Sequence, residues 1–180
     1  DTQVAWSEEP GHRQGLLFRE DGVDPRESKS WHDRGNTAAA TATPADFPME
    51  RVLDTEIIFA GLGTAVLSKQ AAETTGALLR AAGGGGAMTA VDLDYSRGLA
   101  PPATYTGVLE ELADEIDVLF TDEQDAREAL DRSGGPRDLA NTIAAEYDLE
   151  IIVVRRSNGG AVALRDSPGT NIIHELDAIE

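Results

Sequence analysis

The segment from Asp54 to Leu93 constrains the fold more than any other, because its pattern predicts a strand, a helix and a second strand in succession. Apolar runs over 56–60 and 87–91 predict the strands, and apolar residues at helical spacing predict a helix over 69–82. We expect the glycines at 83–86 to end this helix. Two strands joined in this way form a parallel pair with a right-handed crossover, and working residues then follow the carboxyl ends of the strands.

The alternation of strands and helices continues to the end of the chain. We predict helices over 103–116, 122–132 and 137–147, the second capped by Thr121, and strands over 117–120, 150–154, 161–164 and 171–174. Before the first parallel strand, Pro44 begins a helical turn, and Phe47 and Leu53 supply an apolar side. The predicted core is therefore a doubly wound, mostly parallel α/β sheet over residues 37–180.

Residues 1–36 have a different pattern. Alternating apolar residues over 2–7 and 15–20 predict two antiparallel strands of a small sheet, and a third strand is expected around 28–33. No helix is expected before about Thr37. This change in pattern predicts a β-rich segment laid against the larger α/β domain.

The composition is strongly acidic, with 33 acidic and 15 basic residues and a net charge of -18. Lys29 and Lys69 are the only lysines, and this scarcity favours a cytoplasmic protein from a high-salt organism, where salt screens carboxylate repulsion. No basic stripe is present to neutralise phosphates, which argues against nucleic-acid binding. The lack of cysteine excludes disulfides and thiolate chemistry, and no apolar run approaches the roughly 20 residues of a membrane span.

Three strand ends carry candidate site residues. Asp92 and Asp94 point the same way after the second strand, so they bind a hydroxylated ligand or metal, or else lie in a solvated acidic loop. Asp122 and Asp125 open a helix, where they hold Mg²⁺ through water or match the helix dipole. Taken alone, the segment favours capping matched to the dipole.

The segment from Arg155 to Gly160 is a concentrated positive spot after a buried strand. Its backbone amides and arginine could cradle phosphates, or the segment is a plain hairpin with paired arginines. Gly61-Leu62-Gly63 stands where a dinucleotide fingerprint would, but without the third glycine or the distant acidic residue a tight turn explains it better.

Taken together, these segments resemble the ribokinase-like (PfkB) carbohydrate kinases, and most closely the branch that phosphorylates 2-keto-3-deoxygluconate. That family has an α/β core and a small β-sheet lid, which implies a lid over residues 1–36. The branch's Tyr-x-Arg lid motif stands here as His32-Asp33-Arg34. The resemblance implies that His32 and Arg34 contact the substrate and that Arg34 pairs with its carboxylate.

The resemblance also implies a site for ATP and Mg²⁺. The family's DxNYRP pattern places Asp94 and Ser96 at its asparagine and arginine positions. The nucleotide loop TxGxxGA corresponds to residues 155–161, which implies nucleotide contacts for Arg155, Ser157 and Gly160. The NEExE pattern begins at Asp122, which implies metal contacts for Asp122 and Asp125. Several of these positions depart from the family residue.

The family's GAGD motif, which supplies the catalytic base and the anion hole, has no counterpart, so no catalytic residue is expected in this chain. We expect the chain to be the middle of a kinase, truncated at both ends. Its function would be ATP-dependent phosphorylation of a sugar acid; the alternative is a non-catalytic sugar-binding paralogue or remnant. A nicotinamide-binding enzyme is a third, weaker hypothesis. The resemblance further implies a homodimer through lid strands, with Val4, Trp6, Leu16 and Phe18 as apolar contacts.

Overall fold

The computed structural model describes residues 12–165 and 171–178. Its first sheet has two antiparallel strands, β1 (Leu16–Glu20) and β2 (Lys29–Asp33). The strand predicted around 28–33 is thus the partner of β1, while the strand predicted over 2–7 lies outside the described residues. We call β1 and β2 the lid.

In the described part of the chain, the large sheet has six strands, which lie side by side in the order of the sequence. They are β3 (Ile57–Gly61), β4 (Met88–Asp92), β5 (Val118–Asp122), β6 (Ile151–Arg155), β7 (Ala161–Arg165) and β8 (Ile172–Leu176). The first four are parallel, and the last two are antiparallel to their neighbours. The predicted α/β class, with a mainly parallel sheet beside a small antiparallel one, is confirmed.

Within residues 12–165 and 171–178, seven α-helices lie between these strands. They are α1 (Ala38–Thr41), α2 (Met49–Leu53), α3 (Leu62–Ala65), α4 (Lys69–Gly84), α5 (Pro102–Leu112), α6 (Glu123–Leu130) and α7 (Pro136–Tyr147), with 3-10 turns at Pro44–Asp46 and Ala113–Glu115. Among the described helices, none combines the length and the hydrophobicity that crossing a bilayer requires.

Several helix ends differ from the prediction by a few residues, and two of them have a clear local cause. Helix α4 continues through Gly83 and ends at Gly84, because the left-handed conformation that lets the chain leave the helix lies at Gly86, with φ of 94°. Helix α6 is capped by Asp122, whose side chain accepts the Asp125 N–H at 2.8 Å, and not by Thr121. Thr121 is fully buried within β5, which leaves the cap to the carboxylate that follows it.

The helices that follow β3, β4 and β5 pack on one face of the sheet. Since β3 to β6 follow one another in space as in sequence, right-handed crossovers place every connecting helix on the same side. Strand residues that point to this side are fully buried in the core, among them Val91, Leu119, Ile152 and Leu164. This layer positions the carboxyl ends of the four parallel strands.

The opposite face of the sheet is apolar and open in the part of the chain that the structure describes. Ile57 and Phe59 are about 60% exposed, and Met88 is 46% exposed. These strand residues are exposed because no described element packs over them, although mostly parallel sheets are usually covered on both faces. Phe47 and Leu53, which supply an apolar side before β3, are also exposed, at 39% and 53%.

An Ile→Ala substitution is expected to lower the free energy of unfolding by different amounts on the buried and the open face of the large sheet. Ile152→Ala removes a fully buried side chain, so we expect the free energy of unfolding to fall by about 2–5 kcal/mol. Ile57→Ala on the open face is expected to change it by about 0.5 kcal/mol or less. Urea denaturation of both variants measures the difference. Equal losses would show that the open face is packed in solution.

Candidate functional site

The four parallel strands end side by side at one edge of the sheet. β3 ends at Gly61, β4 at Asp92, β5 at Asp122 and β6 at Arg155. Arg155 reaches across β5 and donates to both carboxylate oxygens of Asp92, at 3.1 and 3.4 Å. The end of β6 is therefore tied to the end of β4 by a charged pair.

Asp94 lies where the lid and the core meet. Its backbone has φ of 40°, and its N–H donates to Asp92 Oδ1 at 3.2 Å, which turns the chain sharply after β4. The pKa of Asp94 is raised by burial and by the nearby Asp92 carboxylate, and Arg155, Arg34 and His32 oppose this rise. Arg155 of the core and Arg34, which directly follows β2, therefore act on the same carboxylate.

The strand-to-helix turn after β3 passes under Asp94. A side-chain carbon added at Gly63 would lie 3.1 Å from Asp94 Oδ2, so the glycine permits this close approach. The chain enters α3 directly at Leu62, whose side chain is fully buried. These contacts agree with a tight turn at 61–63, the explanation favoured over a dinucleotide fingerprint.

The lid contacts the core through the loop after Asp94. His32 Nε2 and Ser96 Oγ are hydrogen-bonded at 3.1 Å. A side-chain carbon at Gly98 would lie 2.8 Å from the Ser30 carbonyl oxygen, so β2 passes directly over this glycine. A cleft of about 690 Å³ opens between β2, this loop and the start of α6, and Trp31 and Tyr95 are among its lining residues.

Tyr105 holds this loop from the core side. Its buried hydroxyl accepts the Ser96 N–H at 3.2 Å and donates to the Asp94 carbonyl oxygen at 3.4 Å. Its ring meets the ring of Tyr95 edge to face, with centroids 4.9 Å apart. The loop therefore keeps its shape through a side chain of α5, which lies within the helix predicted over 103–116.

Asp122 and Asp125 lie at the same edge, but each uses one oxygen for local structure. Asp122 caps α6, and Asp125 Oδ2 accepts the Tyr95 N–H at 3.0 Å. Burial and the neighbouring Asp122 carboxylate raise the pKa of Asp125 to about 6, although the Tyr95 bond opposes the rise. Within residues 12–165 and 171–178, no three carboxylate or histidine side chains converge as a metal site, so the Mg²⁺ role of this pair stays a prediction.

The loop after β6 is held by carboxylates. Ser157 donates to Glu123 Oε2 through its N–H at 2.8 Å and its Oγ at 3.1 Å. Arg156 pairs with Glu175. Gly160 has φ of 81°, and an added side-chain carbon would lie 2.2 Å from the Leu176 carbonyl oxygen, so the tight hairpin needs this glycine.

The structure brings together most of the residues that the sequence selected. His32, Arg34, Asp94, Ser96 and Arg155 form one group around the loop after β4. Asp122, Asp125, Ser157 and Gly160 lie along the same edge, at the start of α6 and in the loop after β6. Sequence reasoning did not assign the roles of Tyr105 and Glu123, since both depend on partners from other segments.

The raised pKa of Asp125 predicts a pH-dependent stability. A carboxyl with a raised folded-state pKa stabilises the fold below its unfolded value, near pH 4, and this contribution is lost as the pH rises through about 6. We therefore expect Asp125→Asn to gain free energy of unfolding relative to wild type as the pH rises from about 4 to about 7. Denaturation across this range measures the gain, with the exposed Asp114→Asn as control. Parallel pH profiles for wild type and Asp125→Asn would contradict the assignment.

Comparison with solved structures identifies the fold. The chain superposes on the 2-dehydro-3-deoxygluconokinase of Thermotoga maritima with a TM-score of 0.69 and 23% identity, covering 92% of this chain and 55% of that one. It superposes on the ATP-bound fructokinase of Xylella fastidiosa with a TM-score of 0.75 and 18% identity, covering 96% and 51%. The chain has the ribokinase-like fold. The fold predicted from the resemblance is confirmed.

A curated relative supports the same resemblance. The chain is 35% identical over 163 residues to the 2-dehydro-3-deoxygalactonokinase of Haloferax volcanii, a match that covers 91% of this chain and 51% of the relative. The ribokinase-like chain thus spans about half the length of this relative. No protein-family model matches this chain.

Proposed function

We propose that this chain is part of an ATP-dependent kinase that phosphorylates a primary hydroxyl of a sugar acid, with 2-keto-3-deoxygluconate as its substrate. The names of the Haloferax volcanii and Thermotoga maritima proteins support this substrate class. The observation that supports it most is the contact of lid and core beside Asp94, where His32 Nε2 is hydrogen-bonded to Ser96 Oγ at 3.1 Å and Arg155 is paired with Asp92. The reaction would occur in the cytoplasm, where ATP is available.

Each site residue has a role in this proposal. Arg34 pairs with the substrate carboxylate, and His32 lies beside it on the lid; Arg34 forms no salt bridge with a residue that the structure describes. The nucleotide lies along the carboxyl edge, against the proposed contacts Asp94, Ser96, Arg155, Ser157 and Gly160. Asp122 and Asp125 would hold Mg²⁺ through water, and the ion would neutralise charge on the phosphates.

A non-catalytic sugar-binding protein is the second candidate. It is favoured by the pairing of Arg155, Arg156 and Ser157 with Asp92, Glu175 and Glu123, because a phosphate would have to compete with these carboxylates. Assay of a protein that spans the full length of the relatives, with ATP, Mg²⁺ and 2-keto-3-deoxygluconate, separates the two. Sugar-acid binding without product would favour the second candidate.

Arg34→Ala tests the proposed substrate contact. We expect KM for the sugar acid in that longer protein to rise about tenfold or more, because a charged hydrogen bond to the carboxylate is lost. KM for ATP is expected to stay the same. Arg19→Ala, which removes a lid arginine paired with Asp21, is the matched control. An unchanged KM for the sugar acid would remove Arg34 from the site.

We also propose that the protein dimerises through its lid. Leu16 and Phe18 share the face of β1 opposite to that of Leu17, which pairs with His32, and each is about half exposed. Such a contiguous apolar face is typical of a protein interface. Light scattering should show the mass of a dimer for the wild type and that of a monomer for Phe18→Ser. The control variant Phe47→Ser should remain a dimer. A monomeric wild type would overturn this proposal.

A further inference from the structure

The loop after β6 presents few free donors for an anion. The Arg155 guanidinium is paired with Asp92, and that of Arg156 with Glu175 and, at 3.7 Å, with Asp177. The Ser157 N–H and Oγ both donate to one oxygen of Glu123. The groups best suited to hold a phosphate are thus each paired with a carboxylate of the same chain.

Glu123 is held firmly in this position. It is the first residue of α6, and its other oxygen, Oε1, accepts from Arg127 Nη2 at 2.9 Å. Its side chain is only 14% exposed. The Ser157 N–H and Arg127 hold the pKa of Glu123 below its usual range, so it carries a full negative charge at neutral pH.

A carboxylate that accepts both a loop N–H and the adjacent hydroxyl takes the place of a phosphate oxygen. Phosphates bind protein loops through backbone N–H groups, hydroxyls and arginines of this kind. Two anions cannot share one N–H at hydrogen-bond distance without strong repulsion. An incoming phosphate therefore competes directly with Glu123 for Ser157.

We propose that Glu123 is an internal competitor for the phosphate position of this loop, so that a nucleotide binds here only by displacing its carboxylate from Ser157. The inference rests on the proposed nucleotide site and adds its regulation. Glu123 lowers the affinity of the loop for every phosphate ligand, because each must break the two hydrogen bonds from Ser157. Arg127, four residues along α6, holds the carboxylate in place and sets how readily it leaves.

Titration of this chain with ATP and, separately, with inorganic pyrophosphate, followed by calorimetry, tests the proposal. We expect Glu123→Gln to bind both ligands about tenfold more tightly than wild type, because a neutral acceptor holds Ser157 less strongly than a charged one. Glu123→Ala, which has no acceptor, is expected to bind at least as tightly as Glu123→Gln. The matched control is Glu115→Gln, which removes the same charge from a residue paired with Arg80. Its affinity should equal that of wild type.

Three results would overturn the proposal. Equal affinities of wild type and Glu123→Gln would show that Glu123 does not compete, and weaker binding by Glu123→Gln would show that it supports the ligand. An absence of binding in Glu123→Gln and Glu123→Ala would show that the loop does not hold phosphate even without its carboxylate. Failure of the kinase proposal is detected separately, by the absence of phosphorylated sugar acid in the longer protein.

Discussion

Parallel pairing of β3, β4, β5 and β6 in chain order is the constraint on which the rest of the structure depends. It brings four strand ends to one edge, where Gly61, Asp92, Asp122 and Arg155 lie next to one another. It also sends every crossover helix to the same side, which buries one face of the sheet and leaves the other apolar and open in the described part of the chain. The order of the parallel strands thus determines both the position of the candidate site and which face of the sheet stays open.

The loop after β4 connects this edge of the sheet to the lid, because it is hydrogen-bonded to both. Asp92 and Tyr105 fix its backbone from the core, and the bond between Ser96 and His32 joins it to the lid. Each contact is modest in free energy, but all of them converge within a few residues. The lid and the turn at Asp94 are therefore joined through one short loop.

Much of this arrangement could be predicted from the sequence. Apolar periodicity gave the strands and helices of the core, and the strand ends gave most of the residues at the edge. Long-range pairing was not predictable in this way: Glu123 and Ser157 lie 34 residues apart, and neither local pattern indicates the other. The exposure of Ile57 and Phe59 could not be predicted either. An apolar run predicts a buried strand whether or not a second layer of structure covers it.

The most direct test of the account is hydrogen exchange of the backbone amides with and without ATP and Mg²⁺. The proposal is that the loops after β4, β5 and β6 form one nucleotide site. It predicts slower exchange over 92–98, 121–125 and 155–160 when the nucleotide is present, with little change over the open face at 57–59. Protection confined to other segments, or unchanged exchange in all three loops at saturating nucleotide, would contradict it.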